Sequence, residues 1–331
     1  MQGQSKNRSE HVVVEPIHAQ YAIHVLKKSG IYDTSRKVFH REGLVYIPVN
    51  GKVENFKTIL AEGVTNERWR YPHKYTGSYD VIGDIAIIHF RKGIDPSDLA
   101  ERILERKNGI RSVYLDRGIK GEERLRSVEF LAGTDDPVTL HKENGIVLKV
   151  NISNVYFSPR LATERMRILR KSRDGENIVD MFAGVGPFSI LLAKNLSVTV
   201  TSMDINRHAI DLLRENISLN RLKGKIIPVM GDSSVLMDDI HDADRIIMNL
   251  PHGSMSFIGK ASSALKNGGS IHYYEICTPR DMEERMETFR RMCFSVEGKR
   301  EVHGYSPQEI MYALDLRKDM ATCYKNEEKE K

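Results

Sequence analysis

The alternation of strand-like and helix-like segments between residues 156 and 320 constrains the fold most strongly. Short apolar runs such as "NIVDMF" and "RIIMNL" are typical of buried strands, and segments such as "HAIDLLRENISLN" have the spacing of amphipathic helices. Strands that alternate with helices of this length pair in parallel, because each helix returns the chain across the sheet. The pattern therefore predicts an α/β, Rossmann-like domain with a doubly wound, mostly parallel sheet.

Two smaller parts precede this domain. Residues 11–62 contain one helical segment and strand-like segments around a turn, which predicts a small N-terminal α/β module. Residues 63–155 open with a polar, aromatic stretch typical of a linker and continue with strands and one helix. They predict an α+β middle domain with an antiparallel sheet. The two ends, residues 1–10 and 321–331, are polar and charged, which predicts disorder.

The composition restricts the class of protein. No apolar run reaches the roughly 18 residues of a membrane-spanning helix, so we expect no membrane association. The N-terminal residues "MQGQSKNRSE" lack the apolar core of a signal peptide. The three cysteines form no CxxC pair, which argues against a zinc site and fits a reducing compartment. We therefore expect a cytoplasmic protein without a metal site.

The distribution of charge indicates a polyanionic partner. The net charge of +5 is unremarkable for an enzyme, but residues 160–173 contain six Lys or Arg and one acid. Residues 111–126 contain five Lys or Arg and three acids. Such local density is typical of nucleic-acid binding. Charge alone is equally compatible with a solvated helix face.

A glycine-rich turn, "DMFAGVGPF" at residues 180–188, follows the first strand of the α/β domain and opens a helix. Gly184 and Gly186 allow a tight turn and the close approach of a ligand to the backbone. Asp204 stands twenty residues after Gly184, at the end of the second strand, where an acid accepts hydrogen bonds from ribose hydroxyls. These features fit both a nicotinamide dinucleotide and S-adenosylmethionine.

Three further features favour S-adenosylmethionine. The third glycine of the dinucleotide fingerprint is replaced by Ser189. Asp232 follows the third strand, where a polar side chain can read an adenine amino group. Asn249 and Pro251 then end the fourth strand, at the face where ligands of such sheets bind. A sulfonium cofactor needs a nucleoside site and a groove for its reactive methyl, but no pyrophosphate cradle.

Several motifs together resemble the archaeal and eukaryotic family of tRNA (guanine-N1)-methyltransferases, which act on guanosine 37, directly 3′ of the anticodon. They are "VYFSPRLATER", "DMFAGVGPFSI", "MDIN" and "IMNLPHGSMSFI". "YDVIGDIAII" and "LHKENGIVLKV" are similar to that family's middle domain, and the N-terminal module resembles its small domain that touches the tRNA elbow. The resemblance covers nearly the whole chain. It implies a class I, S-adenosylmethionine-dependent methyltransferase domain at 156–320 and a tRNA bound by its anticodon loop and elbow, and we expect a monomer.

The resemblance also implies roles for individual residues. Glu164 matches the general base that takes the proton from guanine N1, and Arg124 matches the arginine that steadies O6, with Arg126 as the alternative. Tyr156, Asn249 and Pro251 match the pocket around the target base. The residues expected at the cofactor are Arg165, Phe182, Gly184, Gly186, Asp204, Ile205, Asp232, Ser233 and Asn249. His252 directly follows the proline and has no assigned role.

The chemistry of the reaction agrees with these residue types. Guanine N1 is a poor nucleophile until its proton is lost, and a positioned carboxylate accepts that proton. Negative charge then develops on O6, where an arginine stabilises it. Ser158 is expected to cap a helix that begins at Pro159, which places Glu164 in the second turn. Basic neighbours would keep Glu164 ionised.

Other functions remain possible on the sequence alone. A wyosine-pathway enzyme would methylate a tricyclic guanosine derivative at the same position, or transfer the aminocarboxypropyl group of the same cofactor. The second of these should lack Asn-Leu-Pro, because a different arm of the sulfonium must face the substrate. A non-catalytic RNA-binding relative and a dehydrogenase are the remaining alternatives.

Overall fold

The computed structural model describes most of the chain, in two compact units, Met1–Thr76 and Gly77–Lys331. The described residues are 8–33, 36, 38–51, 53, 56–62, 78–89, 95–106, 109–120, 125–306 and 308–319. The predicted linker at 65–80 lies outside them up to residue 77, and its last two residues belong to a strand, so the prediction is wrong there. The predicted disordered tail at 321–331 and residues 1–7 also lie outside the described residues. The first strand begins at Arg8, so the prediction of disorder is wrong for residues 8–10.

The first unit is a small antiparallel sheet with one helix. Its elements are β1 (Arg8–Val14), α1 (Ala19–Lys28), β2 (Phe39–Arg41), β3 (Leu44–Pro48) and β4 (Thr58–Glu62). The sheet order is β2-β3-β1-β4. Ala22 and Leu26 of α1 are buried with Val12 and Ile47 of the sheet. The predicted α/β module is therefore confirmed, and β1 and β4 are strands that the sequence pattern did not indicate.

The second unit begins with a mixed sheet in the order β5-β6-β7-β8. Its elements are β5 (Tyr79–Ile82), β6 (Ile85–His89), α2 (Pro96–Arg106), β7 (Ser112–Lys120) and β8 (Leu125–Gly133). β6 and β7 are parallel, whereas the two outer pairs are antiparallel. The prediction of a wholly antiparallel sheet is wrong at this central pair, because α2 provides the crossover that parallel neighbours require.

The remaining part of this unit is the doubly wound domain. After β9 (Val138–Glu143) and β10 (Ile146–Asn151) come α3 (Ala162–Lys171), β11 (Asn177–Asp180), α4 (Pro187–Asn195), β12 (Thr199–Asp204), α5 (Arg207–Leu219), β13 (Lys225–Met230), α6 (Ser233–Leu236), β14 (Ala243–Met248), α7 (Ile258–Ala264), β15 (Leu265–Cys277), α8 (Pro279–Arg291), β16 (Phe294–Gly304) and β17 (Ile310–Lys318). The sheet order is β13-β12-β11-β14-β15-β17-β16, parallel up to β15 and antiparallel for the last two strands. The predicted Rossmann-like, mostly parallel sheet is confirmed. The strand order reverses between β11 and β14, and ligands bind at such a point.

One helix is shorter than its sequence pattern predicts. The segment "SMSFIGKASSALKNGG" has the pattern of one helix, but α7 ends at Ala264 and β15 begins at the next residue. Gly268 has a φ of 76°, and a side chain on Gly269 would lie 2.8 Å from Leu265. These two glycines therefore form an irregular strand entrance, where the register against β14 shifts.

The hairpin β9–β10 belongs to the same core as the parallel sheet. Leu148 and Val150 are buried in one cluster with Val185 and Leu213. The predicted division between a middle domain and a methyltransferase domain at residues 155 and 156 thus falls inside one compact unit, and it stays a prediction. None of the helices within the described ranges is long and apolar enough to cross a membrane.

Candidate active site

A cavity of about 340 Å³ opens at the carboxyl ends of β11 to β14. Four loops contribute to its wall, each directly after one of these strands. The sequence-predicted residues that line it are Tyr156, Arg165, Phe182, Gly184, Asp204, Ile205, Asp232, Ser233, Asn249 and Pro251. Glu164 and Gly186 are not among the lining residues, and Arg124 lies outside the described residues. The parallel sheet therefore gathers most of the predicted site in one place.

Asp204 ties two of these loops together. One carboxylate oxygen accepts the backbone N–H of Gly184 at 2.7 Å, and the other accepts the N–H of Asn206 at 2.9 Å. Each oxygen of a carboxylate has a second lone pair, so Asp204 can also accept from a ligand hydroxyl. Gly186 has a φ of 83°, as the predicted tight turn requires, and it has a packing role as well. A side chain there would lie 2.2 Å from Leu213, so this glycine serves the packing of the turn against α5.

A buried polar cluster supports the glycine-rich turn from behind. Asp180 accepts a hydrogen bond from the Ser189 hydroxyl at 2.7 Å, and Ser202 donates to that hydroxyl at 2.8 Å. Burial raises the pKa of Asp180 to about 7. The serine that replaces the third fingerprint glycine is therefore paired with the aspartate at the end of β11. Sequence reasoning noted Ser189 only as a missing glycine.

The Asn-Leu-Pro turn is held on two sides. Ser254 is fully buried, and its hydroxyl lies 2.9 Å from the carbonyl oxygen of Leu250 and 3.1 Å from that of Met248. The backbone N–H of Ile276 donates to the carbonyl of Pro251 at 2.9 Å. The turn is thus fixed at the cavity by a serine and a strand that sequence reasoning did not single out.

The amide oxygen of Asn249 is buried, and it has no hydrogen-bond partner among the residues that the structure describes. A buried acceptor without a donor costs about 1–3 kcal/mol. Asn249 lines the cavity, so a ligand there can supply the donor. An acceptor of this kind in a cavity wall is what a ligand-binding turn would present.

Glu164 lies behind the cavity wall, in the first turn of α3, and its side chain is 3% exposed. A 3-10 turn at Pro159–Leu161 precedes the helix, and Ser158 makes no side-chain cap, so the predicted cap is wrong. Arg167 and the Tyr274 hydroxyl donate to one carboxylate oxygen of Glu164, at 2.8 and 3.2 Å. Arg300 lies 3.2 Å from the other oxygen. Two guanidinium groups and a tyrosine hydroxyl therefore surround this carboxylate.

The charges around Glu164 continue into the core. Arg167 also binds Asp315, which is 2.6 Å from His272. Although burial opposes it, the hydrogen bonds from His272, Arg167 and Lys171 hold the pKa of Asp315 well below its usual range. Burial and the charge of Glu164 raise the pKa of Tyr274. Tyr274 therefore stays a neutral hydrogen-bond donor.

Most of the basic residues in the run at 160–173 form ion pairs within the chain. Arg160 pairs with Asp80, Arg165 with Glu143, Arg167 with Glu164 and Asp315, and Lys171 with Asp315. Four of the six basic residues of this run are thus committed to acids of the same chain. Arg170 and Arg173 are exposed without a described ion pair, whereas Arg160 and Lys171 are exposed and paired, and contact of this run with a polyanion stays a prediction.

Arg165 is an example of a basic residue that is paired within the chain. Its guanidinium is 1% exposed and forms hydrogen bonds to Glu143 at 2.5 and 2.7 Å, with a third to the Ser158 carbonyl at 3.2 Å. It also lies 5.4 Å from the ring of Phe157. Arg165 lines the cavity as predicted, but its charge is used to fix the segment at 157–158. Glu143, on β9, is a partner that sequence reasoning missed.

Tyr156 stands beside Arg126. The guanidinium lies 5.5 Å from the tyrosine ring and 3.5 Å from Asp116, and one of its buried nitrogens has no hydrogen-bond partner within the described ranges. Between the two arginine candidates, Arg126 is thus observed next to the predicted base pocket. Nearby, Arg160 donates to Asp80 at 2.8 Å and lies 2.8 Å from His89, a link between the mixed sheet and the segment before α3.

Comparison with known proteins identifies the family to which the chain belongs. Residues 139–301 match the model described as TRM5/TYW2 methyltransferase domain, and residues 56–136 match the TYW2 N-terminal domain. The tRNA (guanine(37)-N(1))-methyltransferase Trm5b of Pyrococcus abyssi is 38% identical over 312 residues, covering 87% of this chain and 92% of that protein. The chain belongs to the TRM5/TYW2 methyltransferase family.

Solved structures of TRM5/TYW2 proteins share the fold. The crystal structure of Trm5b from Pyrococcus abyssi aligns with a TM-score of 0.77 and 36% identity, over 93% of this chain and 99% of that one. A complex of aTrm5 with tRNALeu aligns at 0.69 and 32% identity, over 93% and 99% of the two chains. The chain is also similar to the TYW2 members of the family. The tRNA(Phe) (4-demethylwyosine(37)-C(7)) aminocarboxypropyltransferase of Pyrococcus horikoshii is 33% identical over 71% of this chain and 87% of that protein.

The cavity of this TRM5/TYW2 protein suits a nucleoside. Asp204 offers carboxylate oxygens at the end of β12, and the adjacent Ile205 is an apolar side chain that is 49% exposed. Phe182 packs edge-to-face on Phe257 at 5.0 Å and provides a second apolar surface. Asp232 is held by its own bond to the Ser234 N–H at 2.8 Å, and the Ser233 hydroxyl donates to the carbonyl of Met181 at 2.5 Å. These contacts fix the cavity wall without any bound ligand.

Proposed function

We propose that the protein transfers a methyl group from S-adenosyl-L-methionine to N1 of guanosine 37 in tRNA. The observation that carries the proposal is the buried, unpartnered amide oxygen of Asn249 in the same cavity wall as Asp204 and Gly184. Its relatives support the substrate, since Trm5b of Pyrococcus abyssi bears this activity in its name and an aTrm5 structure holds tRNALeu. The family's fold supports the cofactor.

The cofactor would lie against the loops that follow β11 to β13. Asp204 would accept its ribose hydroxyls, Ile205 and Phe182 would pack on the adenine, and Asp232 would accept from the adenine amino group. When bound, the cofactor supplies a methyl group on a positively charged sulfur. The protein's contribution is to hold that methyl and the target nitrogen about 3 Å apart and in line.

The target guanine would lie between Tyr156 and the Asn-Leu-Pro turn. The amide oxygen of Asn249 would accept an N–H of the base, which gives the orphan acceptor its donor. Arg126, whose buried nitrogen lacks a partner within the described ranges, is placed to donate to O6 if it reaches the base, and Arg124 is the alternative. A carboxylate at position 249 would repel the charge that develops on O6.

Glu164 would receive the proton from N1. One of its oxygens already accepts from Arg167 and Tyr274, whereas Arg300, the neighbour of the other, has a side chain that is 46% exposed. The proton would therefore arrive on the oxygen next to Arg300, since that side is the more easily rearranged. Arg167 and Tyr274 would keep the carboxylate oriented throughout.

The finer features of tRNA binding are also proposals. We propose that the second unit binds the anticodon loop and the first unit the elbow, that the protein acts as a monomer, and that it works in the cytoplasm. Because most of the basic run at 160–173 is internally paired, Arg170 and Arg173 are the residues there that would contact phosphates. Binding should weaken as salt is raised.

The direct test is to incubate the protein with unmodified tRNA and S-adenosylmethionine, digest the RNA and identify the product nucleoside by mass spectrometry. N1-methylguanosine at position 37 is the expected product, and a tRNA with adenosine at position 37 is the matched control. Parallel reactions on tRNA that carries 4-demethylwyosine test the wyosine branch. An aminocarboxypropyl product, or no product on any of these tRNAs, would contradict the proposal.

A further inference from the structure

The turn between β16 and β17 forms part of the cavity wall, although the sequence analysis assigned it nothing. His303, Tyr305 and Met311 line the cavity from this side. The backbone N–H of Tyr305 donates to the carbonyl of Glu309 at 2.9 Å, which closes the turn. Tyr305 lies beyond residue 301, where the match to the methyltransferase-domain model ends. It is therefore a cavity residue outside the range that this model matches.

Tyr305 is an exposed aromatic residue at a binding cavity. Its relative exposure is 52%, and Tyr156, on the predicted base pocket, is 39% exposed. Within the described ranges, only one other tyrosine, Tyr21, is among the exposed large hydrophobic residues. Exposed aromatic surface at a cavity is typical of a ligand-binding wall. Two such rings in one cavity suit a planar, apolar-faced ligand.

The ring of Tyr305 is positioned by the Asn-Leu-Pro turn. His252, directly after Pro251, packs against Tyr305 with a ring-centre distance of 5.3 Å and an interplanar angle of 68°. A T-shaped contact covers at most one face of the tyrosine ring, so the other face remains available for stacking. The turn that carries Asn249 thus also orients Tyr305, and this gives the exposed His252 a structural reason to follow the proline.

We propose that Tyr305 stacks on the target base after that base has left the anticodon stack, and that His252 positions the ring. This inference rests on the proposed function, because it assigns a residue to the base site of that reaction. A base that leaves its stack loses stacking energy, and a new aromatic neighbour restores part of it. Stacking on Tyr305 would thereby stabilise the extruded base close to Asn249, because the Asn-Leu-Pro turn carries Asn249 and orients Tyr305.

The test uses the full chain, saturated with S-adenosylhomocysteine, and a tRNA with fluorescent 2-aminopurine at position 37. The protein should extrude the probe, and Tyr305 should quench it by stacking. Tyr305→Ala should leave the bound probe brighter, and the single-turnover rate on unmodified tRNA should fall about tenfold, as loss of one stacking contact predicts. Tyr305→Phe keeps the ring and should restore both signals. His252→Ala should shift them part of the way.

Several outcomes would overturn the inference. Wild-type fluorescence and rate in Tyr305→Ala would remove the residue from the base site, and equal losses in Tyr305→Phe and Tyr305→Ala would point to the hydroxyl instead of the ring. If Tyr305→Ala fails to fold by circular dichroism, Tyr305→Leu replaces it as a variant of similar bulk without a ring. Absence of N1-methylguanosine with the wild-type protein would instead contradict the proposed function, so the two failures are distinguishable.

Discussion

Replacing His89 with glutamine should destabilise the protein at pH 6 much more than at pH 9. His89 lies between two acids, with one ring nitrogen 3.2 Å from Asp80 and the other 3.6 Å from Asp116, and its side chain is 28% exposed. The hydrogen bonds to Asp116 and Asp80 raise its pKa from 6.5 to about 8, although burial and the charge of Arg160, which lies 2.8 Å away, oppose this rise. The folded protein therefore binds the His89 proton more tightly than the unfolded chain does.

The tighter binding of the His89 proton in the folded protein determines the sign and the size of the effect on stability. Stabilisation by the proton is complete below pH 6.5 and is lost as the pH rises through about 8. The rise of the His89 pKa from 6.5 to about 8 corresponds to about 2 kcal/mol of stabilisation by the proton. Because the imidazole is partly exposed, solvent screening makes this an upper bound.

Urea unfolding followed by circular dichroism, at pH 6 and pH 9, measures the effect. The free energy of unfolding should differ between wild type and His89→Gln by up to about 2 kcal/mol more at pH 6 than at pH 9. His241→Gln, at an exposed position before β14, is the matched control and should show no such difference. A gap between wild type and His89→Gln that is the same at both pH values would refute the reasoning.

Three further predictions concern the cavity and its support. Glu164→Gln should lower the single-turnover rate of methyl transfer while cofactor binding by calorimetry is preserved, because Glu164 does not line the cavity; full activity would end its role as general base. Asn249→Ala should reduce that rate by roughly 10- to 100-fold, the worth of one buried hydrogen bond, and a normal rate would remove the residue from the site. Burial raises the pKa of Asp180 to about 7, so the wild-type protein should lose stability relative to Asp180→Asn as the pH rises from about 4 to 7, with no further change above. Urea midpoints at pH 5 and pH 8 test this, and a difference that does not depend on pH would contradict it.

The sequence predicts those features of the fold and the site that depend on local periodicity and on the order of the strands. Asp204, Asp232 and Asn249 each follow a strand of a parallel sheet, so their meeting at one edge could be inferred before the structure was known. Pro251 added the signal that the fourth strand ends at a fixed turn. The parallel pairing of β6 and β7 was missed, because strand direction depends on how α2 crosses the sheet.

The partners of Glu164 and of the basic run show the limit of such reasoning. Arg167 is three residues from Glu164 and could have been expected on the same helix face. Arg300 and Tyr274 are more than a hundred residues away, and no local pattern points to them. The arginines at 160–173 resembled a phosphate-binding stretch because their acids, Asp80 and Asp315 among them, come from distant strands.

The amide side chains of α5 determine which segments of the chain have to stay together in a shortened protein. Asn216 accepts the backbone N–H of Lys149 at 2.6 Å and donates to its carbonyl at 3.2 Å, and Asn220 makes the same pair of bonds to Val147 at 3.1 and 2.7 Å. These two side chains act in place of a neighbouring strand for β10. A protein shortened to begin at residue 156 would leave both amide oxygens without the backbone N–H groups that they accept, and would remove a hydrophobic layer from the core. A domain exchange between proteins therefore has to include the β9–β10 hairpin. The unit that is exchanged is larger than the seven-stranded sheet and its helices alone.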